Sequence, residues 1–384
     1  MSLAYLFSRR GRGEGSYLRV VATRAVRAYR RDRWRRSLRR RLPSVDAIPI
    51  DRPIFVLGLQ GGGTTLVARC LLRHPAVVSM SGNSRYWVAT DELGFVRNRM
   101  ARLPPSLWSS SHRTDLADPV FGTGHNSVYA CDALLPFYRR TAADATPEDA
   151  RRLVRLIREH IAVYAHDRSH ARFLDKTHTY TVKVAYLDAL LDGFDPFFVL
   201  VLRNPYTTCF RAIRRKPPSW PVAPPYDEQV RLAAEHWENS YRLALEDGEK
   251  LERFVALRFE DFVADSAASI RALCEFVGLG FDDDLVPQPG HRMPFATLPT
   301  DSKWYPLRPD DWRSQVPERD AAIIDERCGA LARELGYLYA GDEAPMHPLV
   351  SVQRDDLAKL DDVRSESGRE TAAAPDAAPF RDET

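Results

Sequence analysis

The chain has 384 residues, 44% of them hydrophobic and 28% charged, with a formal net charge of +3, so it can bury one large core, or a core with an insertion. No run of eighteen apolar residues occurs, and the opening MSLAYLFSRRGRG has too short an apolar stretch and no small-residue cleavage site, which argues against a membrane span and a secretory signal. Cys70, Cys131, Cys209, Cys274 and Cys328 lie far apart without a CxxC pair, which argues against a disulfide framework or zinc site and for a reducing, cytoplasmic setting.

Residues 1–48 form a basic arm, with fourteen arginines between 1 and 41 against Glu14 and Asp32. Two readings stand for it. It is a solvated helix on the domain, or an anchor at the inner membrane face, because Tyr17, Leu18, Val21, Val26, Tyr29, Trp34 and Leu38 interleave with the arginines. No recognised nucleic-acid module accompanies the charge. Ile54–Leu57 is an apolar run suited to a strand buried on both faces, and GLQGGGTTLVARC (58–70) follows it. Gly58 to Gly63 read as G-x-x-x-x-G. Glycines let the backbone curl so that several N–H groups point at one anion, and the helix beginning at Thr64 and Thr65 adds its dipole. A nucleoside triphosphatase places lysine after the second glycine to reach the β and γ phosphates; Thr64 stands there instead.

Residues 95–145 are irregular and rich in Ser, Pro and aromatics, which predicts an insertion near the mouth of the site. Its Trp108, Phe121, His125, Tyr129, Phe137 and Tyr138 either line an acceptor pocket or belong to the core. TPEDARRLVRLIREHIAVYA begins a helix, with Thr146 as N-cap and Pro147 at the first position. FFVLVL (197–202) and FVAL (254–257) predict two more buried strands, and helices are expected at about 182–191, 227–248, 266–277 and 318–335. Trp237 sits at helical spacing with Leu232, Tyr241 and Leu245, which places it in the core. The whole predicts an α/β fold, a parallel central sheet with flanking helices, over residues 49–340. Residues 341–384, with eleven acids against five bases, read as a disordered acidic tail.

Three stretches together resemble the sulfotransferases that use 3′-phosphoadenosine 5′-phosphosulfate (PAPS). The loop GLQGGGTT is similar to their G-x-P-[RK]-S-G-T-T at Gly58, Gly63, Thr64 and Thr65. VLVLRNPYTTCFRAIRR resembles their strand, loop and helix for the cofactor's 3′-phosphate, with Arg203 in the arginine position. VALRFEDFVADSAASIRALCEFVGL is close to the bacterial strand, acidic turn and helix. The resemblance covers about residues 50 to 340 and implies a P-loop nucleotide-kinase-like fold with PAPS as co-substrate. It assigns PAPS to Gln60, Gly61, Gly62, Gly63, Thr64, Thr65 and Arg203. Arg211 stands where the family has a serine for the 3′-phosphate, and Thr207 and Thr208 offer hydroxyls nearby. In DSKWYPLRPDDW (301–312), Lys303 is placed to reach the same phosphate and Trp304 to pack on the base, or the two are a solvated charge and a core residue.

The sequence departs from that pattern where chemistry is concerned. The loop cation that stabilises the leaving oxygen falls at Gly61, and the family's proline and serine fall at Gln60 and Gly62. FLDKTHTY (173–180), similar to the family's K-T-H stretch, offers Lys176 as the substitute cation. By the same resemblance His178 is the general base, since neutral imidazole takes a proton readily near pH 7. Other branches use a glutamate about twenty residues after the loop, where MSGNSRYW places Gly82 and Asn83; Asp91 and Glu92, which come later, are reserve bases or else charges at a helix N-terminus. No histidine and carboxylate spacing suggests a metal. The expected activity is sulfonyl transfer from PAPS to a hydroxyl of a carbohydrate, glycolipid or other small acceptor. The alternatives are a non-catalytic nucleotide-binding relative, for which Gly61 argues, or a phosphoryl transferase, against which Thr64 argues.

Overall fold

Three apolar runs and two segments of mixed polarity pair side by side in one sheet. The structure, a computed structural model, describes residues 45–80, 92–95, 102–110, 113–116, 119–215, 220–287, 311–337 and 339. The basic arm up to residue 44 and the acidic tail lie outside these residues, so those expectations concern a part of the chain that is not described.

The elements used below are β1 (Ile54–Leu57), α1 (Thr64–Leu71), β2 (Val77–Ser79), α2 (Pro147–Tyr164), β3 (Arg172–Asp175), α3 (Val184–Leu190) and β4 (Phe197–Leu202). They continue with α4 (Pro205–Arg215), α5 (Tyr226–Gly248), β5 (Phe254–Arg258), α6 (Phe259–Ala264), α7 (Ser266–Val277) and α8 (Glu318–Glu334). The sheet runs β2-β3-β1-β4-β5 and every pairing is parallel.

Successive residues of a strand point to opposite faces, and here both faces are covered, which is why β1 and β4 carry no polar residue. Ile54 and Val56 of β1, with Val199 and Val201 of β4, pack on Leu66, Val67 and Cys70 of α1 and Ile270 and Leu273 of α7. Phe55 and Leu57, with Phe198, Leu200 and Leu202, face a larger core built from α2, α3, α4, α5 and α8. Ile48 is 5% exposed within that core, so the fold takes in the last residue of the segment assigned to the arm.

Helix ends follow their sequence signals. Thr146 Oγ1 accepts from Asp149 N at 3.1 Å and caps α2 ahead of Pro147. α7 stops at Gly278, left-handed at φ 68°, where Leu279 N donates to Cys274 O at 2.8 Å. The helix that leaves β1 packs on one face of the sheet, whereas α4, which leaves β4, packs on the other. Neighbouring strands whose exits part this way open a crevice at their carboxyl ends, the usual ligand site of an open α/β sheet.

Candidate functional site

The loop after β1 lies in that crevice. Gly58, Gly61 and Gly63 have φ of 132°, 87° and 94°, a region that strains residues with a Cβ. Two of the three glycines are also forced by contact. A Cβ on Gly58 would lie 2.6 Å from Val201 O, and one on Gly63 would lie 2.0 Å from the Phe259 ring. Gly61 differs, because nothing lies within 4 Å of where its Cβ would be. Gly62 N donates to Leu59 O at 2.9 Å, closing the turn, and Gly63 begins α1 with no side-chain cap. The start of α1 therefore presents backbone donors and the positive end of its dipole to the crevice.

The exit of β3 supplies the ionisable groups. Gly58 N donates to Thr181 Oγ1 at 2.8 Å, which ties the two strand exits together. His178 Nε2 lies 3.3 Å from Thr64 Oγ1 of the loop, and His178 Nδ1 lies 3.4 Å from Glu92 Oε1. That same oxygen accepts from Lys176 Nζ at 2.7 Å. Burial alone would raise the Glu92 carboxyl, but the Lys176 ammonium and the His178 imidazole more than offset it and hold the group well below the usual carboxylate range. Glu92 is therefore an anion that turns His178. With Nδ1–H directed at the carboxylate, the Nε2 lone pair faces the loop, the tautomer a general base needs.

Glu92 is held there by its neighbours. Asp175 Oδ1 accepts from Leu93 N at 2.6 Å, and Gly94 N reaches Thr177 Oγ1 at 3.5 Å. Gly94 has no room for a side chain, since a Cβ would come within 2.8 Å of Leu107 O. Burial pushes Asp175 up to about 7, against the opposing pull of its bonds to Thr177 and Leu93. A carboxyl titrates near 3.9 in the unfolded chain. The folded state thus binds the extra proton, and this group's stabilisation is complete below about pH 4 and is lost as pH rises through about 7. Asp175→Asn cannot ionise. Its melting temperature relative to wild type should accordingly rise between pH 5 and pH 8; an unchanged difference would contradict the assignment.

The expected insertion reaches the site from the other side. Tyr129 OH donates to His178 O at 2.7 Å. α5 grips the next residue twice, with Ala130 N donating to His236 Nδ1 at 3.1 Å and Asn239 Nδ2 donating to Ala130 O at 2.9 Å. Phe121, Tyr129 and Tyr138 are buried in a satellite core with Val182 and Leu232, so of the two readings the core one fits these aromatics. His125 is buried too, its Nδ1 2.9 Å from Tyr138 OH. Trp108 packs partly buried on the main core, and Phe137 is 51% exposed.

At the exit of β4, Arg203 lies over Phe259, its guanidinium carbon 4.4 Å from the ring centroid, and Nη1 donates to Gly61 O at 2.5 Å. Trp237 is core as expected, and it also fixes Arg203, whose carbonyl accepts from the indole N–H at 2.9 Å. Arg211 is half-buried on α4, one turn beyond Thr207. Gln60 Oε1 and Thr207 Oγ1 are buried and have no hydrogen-bond partner among the described residues. Lys303, Trp304, Gly82, Asn83 and Asp91 fall outside the described residues. Glu92, one of the two reserve acids, lies in the site. Among the described residues no cluster of three or more His, Cys, Asp or Glu suited to a metal occurs, and no helix is long and apolar enough to cross a membrane.

A family model described as "Sulfotransferase family" matches residues 53–283, more than half of the chain. No curated protein sequence matches. Among solved structures, the sulfotransferase STF9 from Mycobacterium avium is 15% identical with a TM-score of 0.48, covering 80% of this chain and 83% of its own. The sulfotransferase domain from the curacin biosynthetic pathway is 16% identical with a TM-score of 0.41, covering 75% and 99%. Mouse sulfotransferase SULT7A1 complexed with PAP is 12% identical with a TM-score of 0.40, covering 83% and 91%.

Proposed function

The chain belongs to the sulfotransferase family, and from that premise we propose that its site moves a sulfonyl group from PAPS to a hydroxyl of a carbohydrate, glycolipid or other small acceptor. The observation that carries this reading is His178 Nε2 at 3.3 Å from Thr64 of a glycine loop that has no lysine after its last glycine. A base next to a phosphate-type loop suits an acceptor hydroxyl attacking a group held on that loop.

The residues present fit PAPS. The uncapped start of α1, the open space at Gly61 and the unpartnered hydroxyl of Thr207 make a cradle for an anionic nucleotide at the sheet edge. Gln60 through Thr65 would hold the 5′-phosphosulfate, with Arg203 and Arg211 at the exit of β4 and Lys303 adding further cations. In the transfer, the acceptor oxygen forms a bond to sulfur while the bond from sulfur to the bridging oxygen breaks. The electron pair leaves on adenosine 3′,5′-bisphosphate, and the acceptor proton goes to His178 Nε2. Glu92 stabilises the imidazolium that results, and Lys176, 5% exposed at its side chain, stabilises charge on the departing oxygen. A glycolipid acceptor would suit an arm bound to anionic lipid.

Gly61 favours one competing reading, a relative that binds nucleotide without turning it over. Both readings require nucleotide specificity. Adenosine 3′,5′-bisphosphate should raise the melting temperature well above the shift given by equal concentrations of ADP or ATP, because ligand affinity for the native state sets that shift. Equal shifts from all three would remove the case for PAPS.

A further inference from the structure

A cavity of about 320 Å³ opens beside α2, lined by Arg102, Arg152, Arg155 and Leu156, none of which belongs to the crevice at the strand exits. We propose that it binds a phosphomonoester, the group carried by a phosphatidic acid headgroup or by a small soluble phosphate.

Helical spacing builds the cationic wall. Leu153, Leu156, Ile157 and Ile161 of α2 turn toward the large core, which leaves the arginines between them at its outer edge. Arg152 is tied to the segment before the helix, with Nε donating to Arg102 O at 3.1 Å and Nη2 donating to Leu103 O at 3.0 Å. Arg102 in turn grips both carboxylate oxygens of Glu159. These bonds hold two of the three guanidiniums in place before any ligand arrives, so binding has less side-chain freedom to remove.

Arg155 is the donor left for the ligand. Its side chain is 68% exposed, and among the described residues it makes no hydrogen bond, only a 3.6 Å pair with the Glu159 carboxylate that Arg102 already holds. Its planar fork can take two oxygens of one anion. The lining residues carry three positive charges and no negative one. A phosphomonoester, at about −1.5 to −2 near pH 7, suits that lining better than a singly charged diester.

The cavity also lies where the basic arm joins the fold. Arg158, three residues beyond Arg155 and so its neighbour on the helix surface, donates Nε to Ile48 O at 3.0 Å. Ile48 closes the arm segment, whose first 41 residues carry fourteen arginines. An arm drawn to anionic lipid would bring this part of α2 to the same surface, which favours the headgroup as the source of the phosphate.

The test compares the full chain as wild type, Arg155→Gln, Arg155→Lys and Arg151→Gln. Arg151 is the control, being 70% exposed on the same helix, paired with Glu148, and absent from the lining. Binding of sn-glycerol 3-phosphate is followed by phosphorus NMR line broadening, and binding to phosphatidylcholine vesicles containing phosphatidic acid or phosphatidylserine, matched in surface charge, by sedimentation. Phosphate held at the glycine loop is common to all four proteins and cancels. Arg155→Gln should weaken the soluble phosphate by about 10-fold, the low end for a hydrogen bond to a charged group. Arg155→Lys, which keeps the charge but not the fork, should fall between, and Arg151→Gln should stay within about twofold. A wild-type preference for phosphatidic acid that Arg155→Gln removes and Arg151→Gln keeps identifies the headgroup as the source. Arg155-dependent binding of the soluble phosphate without that preference identifies a free phosphate. Equal behaviour of Arg155→Gln and Arg151→Gln with both probes, or no binding of either probe to wild type, overturns the proposal.

Discussion

His178→Ala is expected to slow sulfonyl transfer by about 10²–10⁴, the usual contribution of a positioned base, while PAPS binds almost as before. The imidazole faces the loop through Nε2, 3.3 Å from Thr64 Oγ1, and it is turned that way by Glu92 at Nδ1. On the proposed reading its task is to accept the acceptor's proton while the loop and the exit of β4 hold the nucleotide, so the loss belongs in kcat. Acceptors of lower pKa should suffer less, because their proton leaves more readily. Glu92→Gln should show a smaller loss of the same kind, since the amide still meets Nδ1 but no longer stabilises an imidazolium. Single-turnover rates across acceptors of graded pKa check both variants. A wild-type rate for His178→Ala across that series would remove the histidine from the chemistry.

The loop, β4 with Arg203, and α7 are each a single continuous stretch of sequence, and local chemistry alone sets them. Three glycines before two threonines have few structural uses, and FFVLVL has no polar residue to place at a surface. The N-cap of α2, the burial of Trp237 and the start of α7 at Ser266 were legible for the same reason. β2 and β3 were not legible, being only three and four residues long and including Ser79, Arg172 and Asp175. Their apolar runs are too short to tell from loop, and their strand state comes from pairing with one another and with β1.

Glu92 had no local signal that ranked it above Asp91. It reaches Lys176, 84 residues away, because β3 lies between β2 and β1 and its exit binds the 92–94 segment through Asp175 and Thr177. Tyr129 was readable as an aromatic of the insertion, but not as the donor to the His178 carbonyl. That role depends on His236 and Asn239 of α5, more than one hundred residues further on. The contact of Arg203 with Gly61 follows likewise from strand order, which sets β4 directly beside β1.

The central claim is that the site as it stands carries out sulfonyl transfer, with Lys176 supplying the charge that the loop lacks at Gly61. The most direct measurement is turnover, read as adenosine 3′,5′-bisphosphate released from PAPS with an acceptor present, in wild type, Lys176→Ala and Gly61→Arg side by side. Loss of one electrostatic donor of this kind costs about 2.7–4 kcal/mol, or about 10²–10³ in rate, so Lys176→Ala should fall by that factor with every acceptor. An arginine at 61 has room, as nothing lies within 4 Å of a Cβ there, but φ of 87° adds strain of roughly 1–2 kcal/mol for an L residue. With the charge already supplied, Gly61→Arg should turn over no faster than wild type. A silent wild type together with an active Gly61→Arg would contradict the account and identify the natural chain as a nucleotide-binding relative that does not catalyse transfer.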